Sequence, residues 1–189
     1  MSETVRLYST GRLTHSEVVD RLKGIQLMAF DVDGTLTDGK IGFVGTERAL
    51  FFSTKDGHGI RCIRDAGIEI AFVTANRSNA VENRAKSLKV LYRLLGREDK
   101  KAALEELGIP WSQIAYMGDD MNDVACMKAA AVSIAPADAN LAARRIASYV
   151  TELPGGNGAA REVCDMILSA KGFGVYMDDT QGAIWRKTP

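Results

Sequence analysis

Two carboxylates one residue apart stand at the exit of a short apolar run. Residues 25–30 are mostly apolar and lead into Asp31-Val32-Asp33-Gly34-Thr35-Leu36-Thr37-Asp38-Gly39. Such a run predicts a buried strand, and two aspartates at its end cost stability unless a cation or a substrate uses them. Asp119, Asp120 and Asp123 follow another apolar run, residues 114–117. Any one of these five reads well as a helix cap or a solvated turn, and Asp120 and Asp138 could be caps and nothing more. Five near one strand edge are harder to explain in that way. A hard cation with oxygen ligands removes the conflict, and Mg²⁺ usually takes one or two carboxylates plus substrate phosphate. Thr74 ends a third apolar run, and Lys100 precedes a helix. Alone they are a strand-terminal threonine and a surface lysine. With the carboxylates they meet the needs of phosphoryl transfer: a nucleophile for phosphorus, a metal and a lysine for the equatorial charge, and a hydroxyl for one oxygen.

The elements that must position these groups follow from periodicity and punctuation. Residues 1–13 are polar and aperiodic, predicting a loose arm. Thr14 or Ser16 caps a short helix carrying Val18, Val19 and Leu22, closed by Gly24. After strand one, which ends at Asp31, the runs 40–44 and 49–54 are joined by Gly45-Thr46-Glu47 and predict a hairpin. Phe43, Leu50, Phe51 and Phe52 give it more apolar surface than a free hairpin needs, to be covered by its own domain or by another subunit. Lys55-Asp56-Gly57-His58-Gly59 reads as a loop, with Ile60, Ile63 and Ala66 at helical spacing and Gly67 as the stop.

Residues 68–73 form a second core strand ending at Thr74. Ser78 or Asn79 caps a helix with Val81, Ala85 and Leu88 inside, and residues 90–95 are a short apolar segment of open type. Asp99 caps the next helix, with Ala103, Leu104 and Leu107 inside, ended by Gly108-Ile109-Pro110. Strand 114–117 runs into Gly118-Asp119-Asp120, and Val124 and Met127 face inward on the helix after it. Strand 132–135, a helix from Asp138 carrying Ala142, Ile146 and Tyr149, and a short strand 149–151 follow. A loop at 154–158 leads to a closing helix with Val163, Met166, Ile167 and Ala170 inside, and residues 172–189 form an unassigned tail. Strands alternating with helices predict a doubly wound parallel α/β sheet. Ligands of such sheets bind outside the carboxyl ends of the strands, near the switch in strand order. The suspicious polar residues converge on that edge.

At 189 residues the chain fits one domain with a full core, and 46% hydrophobic and 25% charged residues are those of a soluble globular protein. Lys+Arg and Asp+Glu are 24 each, which argues against a broad nucleic-acid or anionic-membrane surface. Cys62, Cys126 and Cys164 have no metal-like spacing and read as reduced thiols of a cytoplasmic protein. No window approaches a membrane span.

The four motifs, Asp31-Val32-Asp33-Gly34-Thr35, Thr74, Lys100 and Gly118-Asp119-Asp120-Met121-Asn122-Asp123, resemble in order and placing those of the haloacid dehalogenase superfamily of phosphohydrolases. The resemblance implies that Asp31 is the nucleophile and Asp33 the acid and base. It implies that Thr74 and Lys100 hold the phosphoryl group. Asp31, the backbone carbonyl of Asp33, and Asp119 would bind Mg²⁺, with Asp120 or Asp123 orienting Lys100 or the metal's waters. Many members carry a cap domain, but neither the stretch from Asp33 to Thr74 nor that from Thr74 to Lys100 holds one. An uncovered site leaves the intermediate open to water, so a neighbouring subunit is the economical cover.

Thr37-Asp38-Gly39, Lys55-Asp56-Gly57-His58-Gly59-Ile60 and Gly155-Gly156-Asn157-Gly158-Ala159-Ala160-Arg161-Glu162-Val163 further resemble the 3-deoxy-D-manno-octulosonate 8-phosphate phosphatases. That resemblance implies a capless tetramer joined through the 40–54 hairpin, each site completed by a neighbour. It puts Thr35, Lys55, His58, Arg161 and the segment Ala75-Asn76-Arg77 near a phosphorylated sugar acid. The family usually has Gly-Arg after the threonine, so the guanidinium of Arg77 stands one position later. Three other readings remain open at this point: a phosphatase for a nine-carbon acid of the sialic acid type, a phospho-accepting receiver domain, and a non-catalytic oligomerisation module. Five intact motif residues, Asp31, Asp33, Thr74, Lys100 and Asp119, speak against the last.

Overall fold

Every strand of the central sheet is short, and its side chains divide between two helical layers. The computed structural model describes residues 13–178, 180 and 182–188. The loose arm expected over 1–13 therefore lies, except for Leu13, outside the described residues. In chain order the elements are α1 (His15–Leu22), β1 (Leu27–Phe30), β2 (Gly42–Val44), β3 (Glu47–Ala49), α2 (Thr54–Asp65), β4 (Glu69–Thr74), α3 (Asn79–Ser87) and β5 (Tyr92–Leu95). They continue as α4 (Lys100–Glu105), β6 (Ile114–Met117), α5 (Val124–Ala129), β7 (Val132–Ala135), α6 (Leu141–Ile146), β8 (Tyr149–Val150), α7 (Ala159–Ala170), β9 (Phe173–Asp178) and β10 (Gly182–Lys187).

Six strands form a parallel sheet in the order β5-β4-β1-β6-β7-β8. The order reverses at β1, which pairs with β4 on one side and β6 on the other. Met28, Phe30, Ile70, Phe72 and Met117 face a layer made by α1, α2, α3 and α7. Leu27, Ala29, Ala71, Val73 and Tyr116 face the layer of α4, α5 and α6. This is the alternation of a sheet buried on both faces. Because β1, β4 and β6 are adjacent, the residues leaving their carboxyl ends emerge together at the strand-order switch. The doubly wound α/β reading holds, with only the β2–β3 hairpin and α2 between β1 and β4.

Several local expectations are corrected. The hairpin is β2 and β3 with a two-residue turn at Gly45-Thr46, so its second strand lies earlier than residues 49–54. Phe43, Val44 and Phe51 are exposed.

The segment Lys55 to Gly59 is not a loop but the first turns of α2, capped by the Ser53 hydroxyl, which accepts from Asp56 N. Its glycines serve packing rather than turning. A Cβ on Gly57 would meet the Arg84 guanidinium, and one on Gly59 would stand 2.9 Å from Arg161 Cδ and 3.0 Å from Cys164 Cβ. Asp56, buried by that contact, accepts from Gly158 N and Arg161 N and so caps α7 from another helix. Burial raises its pKa despite these donors.

The helix expected from Asp138 starts later, with Asn140 as its cap and Ala143 buried rather than Ala142. Asp138 instead accepts from Gly155 N, and Tyr149 belongs to β8. The open segment 90–95 supplies β5, and the unassigned tail forms the antiparallel pair β9–β10. No described helix is long and apolar enough to cross a membrane.

Candidate active site

Asp31 continues the ladder of β1, donating its N–H to Met117 O at 2.9 Å. Its side chain is buried beside Lys100, whose Nζ donates to Asp31 Oδ1 at 2.5 Å and to Asp123 Oδ1 at 2.7 Å. Lys100 is itself buried because Asp99 caps α4 and turns the first helical residue toward the sheet. Asp123 is saturated. Its Oδ1 also accepts from Tyr116 OH at 2.6 Å, and its Oδ2 accepts from Asp119 N at 2.9 Å and Asp120 N at 3.1 Å. Four donors occupy the acceptor sites that a carboxylate offers. Gly118 permits this, since a Cβ there would lie 2.4 Å from Asp123 Cγ.

Asp31, Asp119 and Asp123 offer oxygens within 4.8 Å of one another. Three carboxylates against one ammonium leave excess negative charge in a buried place. Burial and then the Asp123 carboxylate hold Asp31 well above the usual carboxylate range, outweighing Lys100. The same two causes push Asp119 up to about 6. Burial alone would lower Lys100, but Asp31 and Asp123 hold it above its ordinary value. A divalent cation fits against Asp31 and Asp119 here, with Asp123 behind them, because it supplies the positive charge that the protein withholds. Gly34, at φ +88°, brings the Asp33-Gly34 backbone against Asp119, where a Cβ would lie 2.2 Å from Oδ2. Asp119 Oδ1 also accepts from Thr35 Oγ1 at 3.3 Å.

A pH dependence follows. Between the ordinary value of 3.8 and about 6, folded chains free of metal hold more protons at Asp119 than unfolded ones. Stability contributed by this group is therefore lost as pH rises through that window. Thermal melts in chelator across the same range should show the decline, and Asp119→Asn should flatten it. A wild-type profile that rises throughout would contradict the assignment.

The remaining expected residues divide. Thr74, buried at the end of β4, accepts from Asn76 N at 3.0 Å. Asn76 Nδ2 then donates to both oxygens of Asp33, at 3.0 and 3.2 Å, while its Oδ1 accepts from Ser78 N. Ala75 is half-buried between them. Lys55 lines a cavity of about 570 Å³ together with Asp38, Asp138 and Asn157. Other expected contacts are turned elsewhere in the single chain. Arg77 donates to Gly96 O, Arg161 Nε is bound by Asp165, and His58 Nε2 faces Cys62 Sγ. Asp120 caps the single turn at Met121–Asp123, as its bland reading allowed.

Sequence reasoning missed Tyr116 and Asp56. Tyr116 carried a signal, a lone hydroxyl inside the buried run leading to Gly118. Asp56 carried none, because its partners lie on α7.

Comparison with known proteins agrees with this geometry. Residues 99–163 match the model of a haloacid dehalogenase-like hydrolase. The chain is 38% identical over 173 residues to the 3-deoxy-D-manno-octulosonate 8-phosphate phosphatase KdsC of Escherichia coli (strain K12), covering 88% of this chain and 90% of that one. A 3-deoxy-D-manno-octulosonate 8-phosphate phosphatase from Moraxella catarrhalis, solved with magnesium, phosphate and KDO, superposes with a TM-score of 0.80 at 37% identity. The match covers 82% of this chain and 92% of that chain. The cobalt-bound deoxy-D-mannose-octulosonate 8-phosphate phosphatase of Haemophilus influenzae gives 0.77 at 34% identity, covering 80% and 92%. Neither the receiver reading nor the non-catalytic module is favoured by these findings. With Asp31, Lys100 and the other carboxylates gathered at the strand-order switch, the chain belongs to the haloacid dehalogenase-like hydrolases and is a phosphatase of that family.

Proposed function

We propose that this phosphatase is Mg²⁺-dependent, works through an aspartyl-phosphate on Asp31, and acts on 3-deoxy-D-manno-octulosonate 8-phosphate. The observation that carries the mechanism is the buried Lys100 ammonium held against Asp31 beside excess carboxylate. The names of the relatives support the substrate. Mg²⁺ would be held by Asp31, Asp119 and the Asp33 carbonyl, supplying charge to the phosphoryl oxygens. Asp123 orients rather than ligates, because its acceptor sites are filled.

An Asp31 carboxylate oxygen attacks phosphorus while Asp33 gives its proton to the departing sugar oxygen. Asp33 then takes a proton from water, whose oxygen attacks phosphorus and releases Asp31 and inorganic phosphate. Lys100 and the Thr74 hydroxyl hold the equatorial oxygens. Lys55 and its cavity suit the sugar-acid carboxylate. Ile41, Phe43, Val44 and Phe51, all exposed, suit contact between copies; a cytoplasmic homotetramer, with the whole chain as one domain, is part of the same proposal.

Phosphate release from a panel of phosphorylated sugar acids, with and without Mg²⁺, tests the proposal. The eight-carbon acid should exceed a nine-carbon sialic-type acid and all aryl phosphates. Faster turnover of the nine-carbon acid would move the substrate, and metal-independent turnover would remove the cation.

Asn76 acts through Asp33 in this reading. Asn76→Ala should lower kcat/KM for an alkyl phosphate by about tenfold or more, because the poorly leaving alkoxide needs the proton. An aryl phosphate, whose oxygen leaves without one, should lose far less. Equal losses on both would show that Asn76 does not position the acid.

A further inference from the structure

Away from the carboxylate cluster, α2 carries a second pair of potential metal ligands. His58 and Cys62 stand one helical turn apart, the i,i+4 spacing that places side chains on one face. His58 Nε2 and Cys62 Sγ are 3.5 Å apart. Tetrahedral zinc, with bonds of about 2.0–2.1 Å to nitrogen and about 2.3 Å to sulfur, requires a nitrogen-to-sulfur separation of about 3.5 Å. In the metal-free chain that separation is a thiol–imidazole hydrogen bond, and it equals the bite a tetrahedral cation would need.

It also opens onto space. His58, Cys62 and Asp65 line a cavity of about 300 Å³ together with Phe173, Ile184 and Trp185. Phe173 and Trp185 are anchored on the core, which gives the cavity a fixed wall. Burial raises the Cys62 pKa, so the metal must displace the thiol proton, while the nearby charge is mixed, Arg61 and Arg161 against Asp65 and Asp165. Cys126 and Cys164 are buried and offer no comparable access.

We propose that His58 and Cys62 form a site for a borderline-soft divalent cation of the Zn²⁺ class, separate from the phosphatase centre. Sγ takes the metal as its proton leaves to water, and Nε2 takes it with the ring proton on Nδ1. The two remaining positions face the cavity and are filled by water or by an anionic ligand that enters it.

Co²⁺ is the probe, added to the full-length protein with Mg²⁺ in excess. Its thiolate complexes absorb in the near ultraviolet, whereas oxygen-only coordination by the carboxylates does not give that band. One thiolate band per chain should develop, and Zn²⁺ should abolish it by displacement. Cys62→Ser should remove the band. His58→Ala, at an exposed position, should weaken Co²⁺ binding by at least about tenfold, the loss that even an outer partner of a metal ligand brings. Cys126→Ser should retain the band. Absence of the band from the wild type, its persistence in Cys62→Ser, or equal affinity in His58→Ala would overturn the site.

Discussion

Asp31→Asn is expected to abolish turnover, by roughly 10⁴- to 10⁶-fold as for removal of a covalent nucleophile, while the protein stays folded. Asparagine fills the same volume, and the substitution removes one of three crowded carboxylates. Lys100 keeps Asp123 as its ionic partner. Phosphate release measures the first effect and a thermal melt the second. Retention of even a tenth of wild-type activity in a folded variant would exclude Asp31 as the attacking group, and a labelled phosphoryl enzyme trapped in acid from the wild type alone would identify it.

The part of this site legible in the sequence was the part carried by strand ends. An apolar run followed by acidic residues has few physical explanations, and β1 and β6 deliver Asp31 and Asp119 as those runs predict. Lys100 was legible through its order among the motifs and through Asp99, whose capping role fixes where α4 begins. Glycine misled. In Lys55-Asp56-Gly57-His58-Gly59 the two glycines look like turn residues, but they sit in α2 because Arg84, Arg161 and Cys164 leave no room for a Cβ. That information lies on α3 and α7, far along the chain. The role of Asn76 was hidden for a similar reason. Its proximity to Thr74 was visible, but its bond to Asp33 exists only once β1 and β4 pair. The C-terminal hairpin lacked any strong turn dipeptide, so its strands could not be told from a coil.

Asp123→Ala should be the most destabilising single change among the site residues. It leaves the Lys100 ammonium with one partner fewer, and strands the Tyr116 hydroxyl and two backbone N–H groups in a buried place. Breaking a buried ion pair on one side costs about 3–5 kcal/mol. For a chain of this size that lowers the melting temperature by roughly 10 °C. Asp123→Asn should recover part of the loss, since its carbonyl still accepts from two of the four donors. A melting temperature within about a degree of wild type for Asp123→Ala would mean that water replaces the carboxylate and that the anchor is not needed.

The position of β1 has a consequence for how the catalyst fails. It is flanked on both sides by strands that lead to other residues of the candidate site, Thr74 and Asp119, so no partial opening from either edge of the sheet reaches it first. β5 and β8 can fray, and the β2–β3 and β9–β10 ribbons stand outside the main sheet, without disturbing Asp31. Backbone amides of Leu27 to Phe30 should then exchange with solvent only when the whole molecule opens, which native-state hydrogen exchange would check. The strand that carries Asp31 is accordingly expected to belong to the last cooperative unit to come apart.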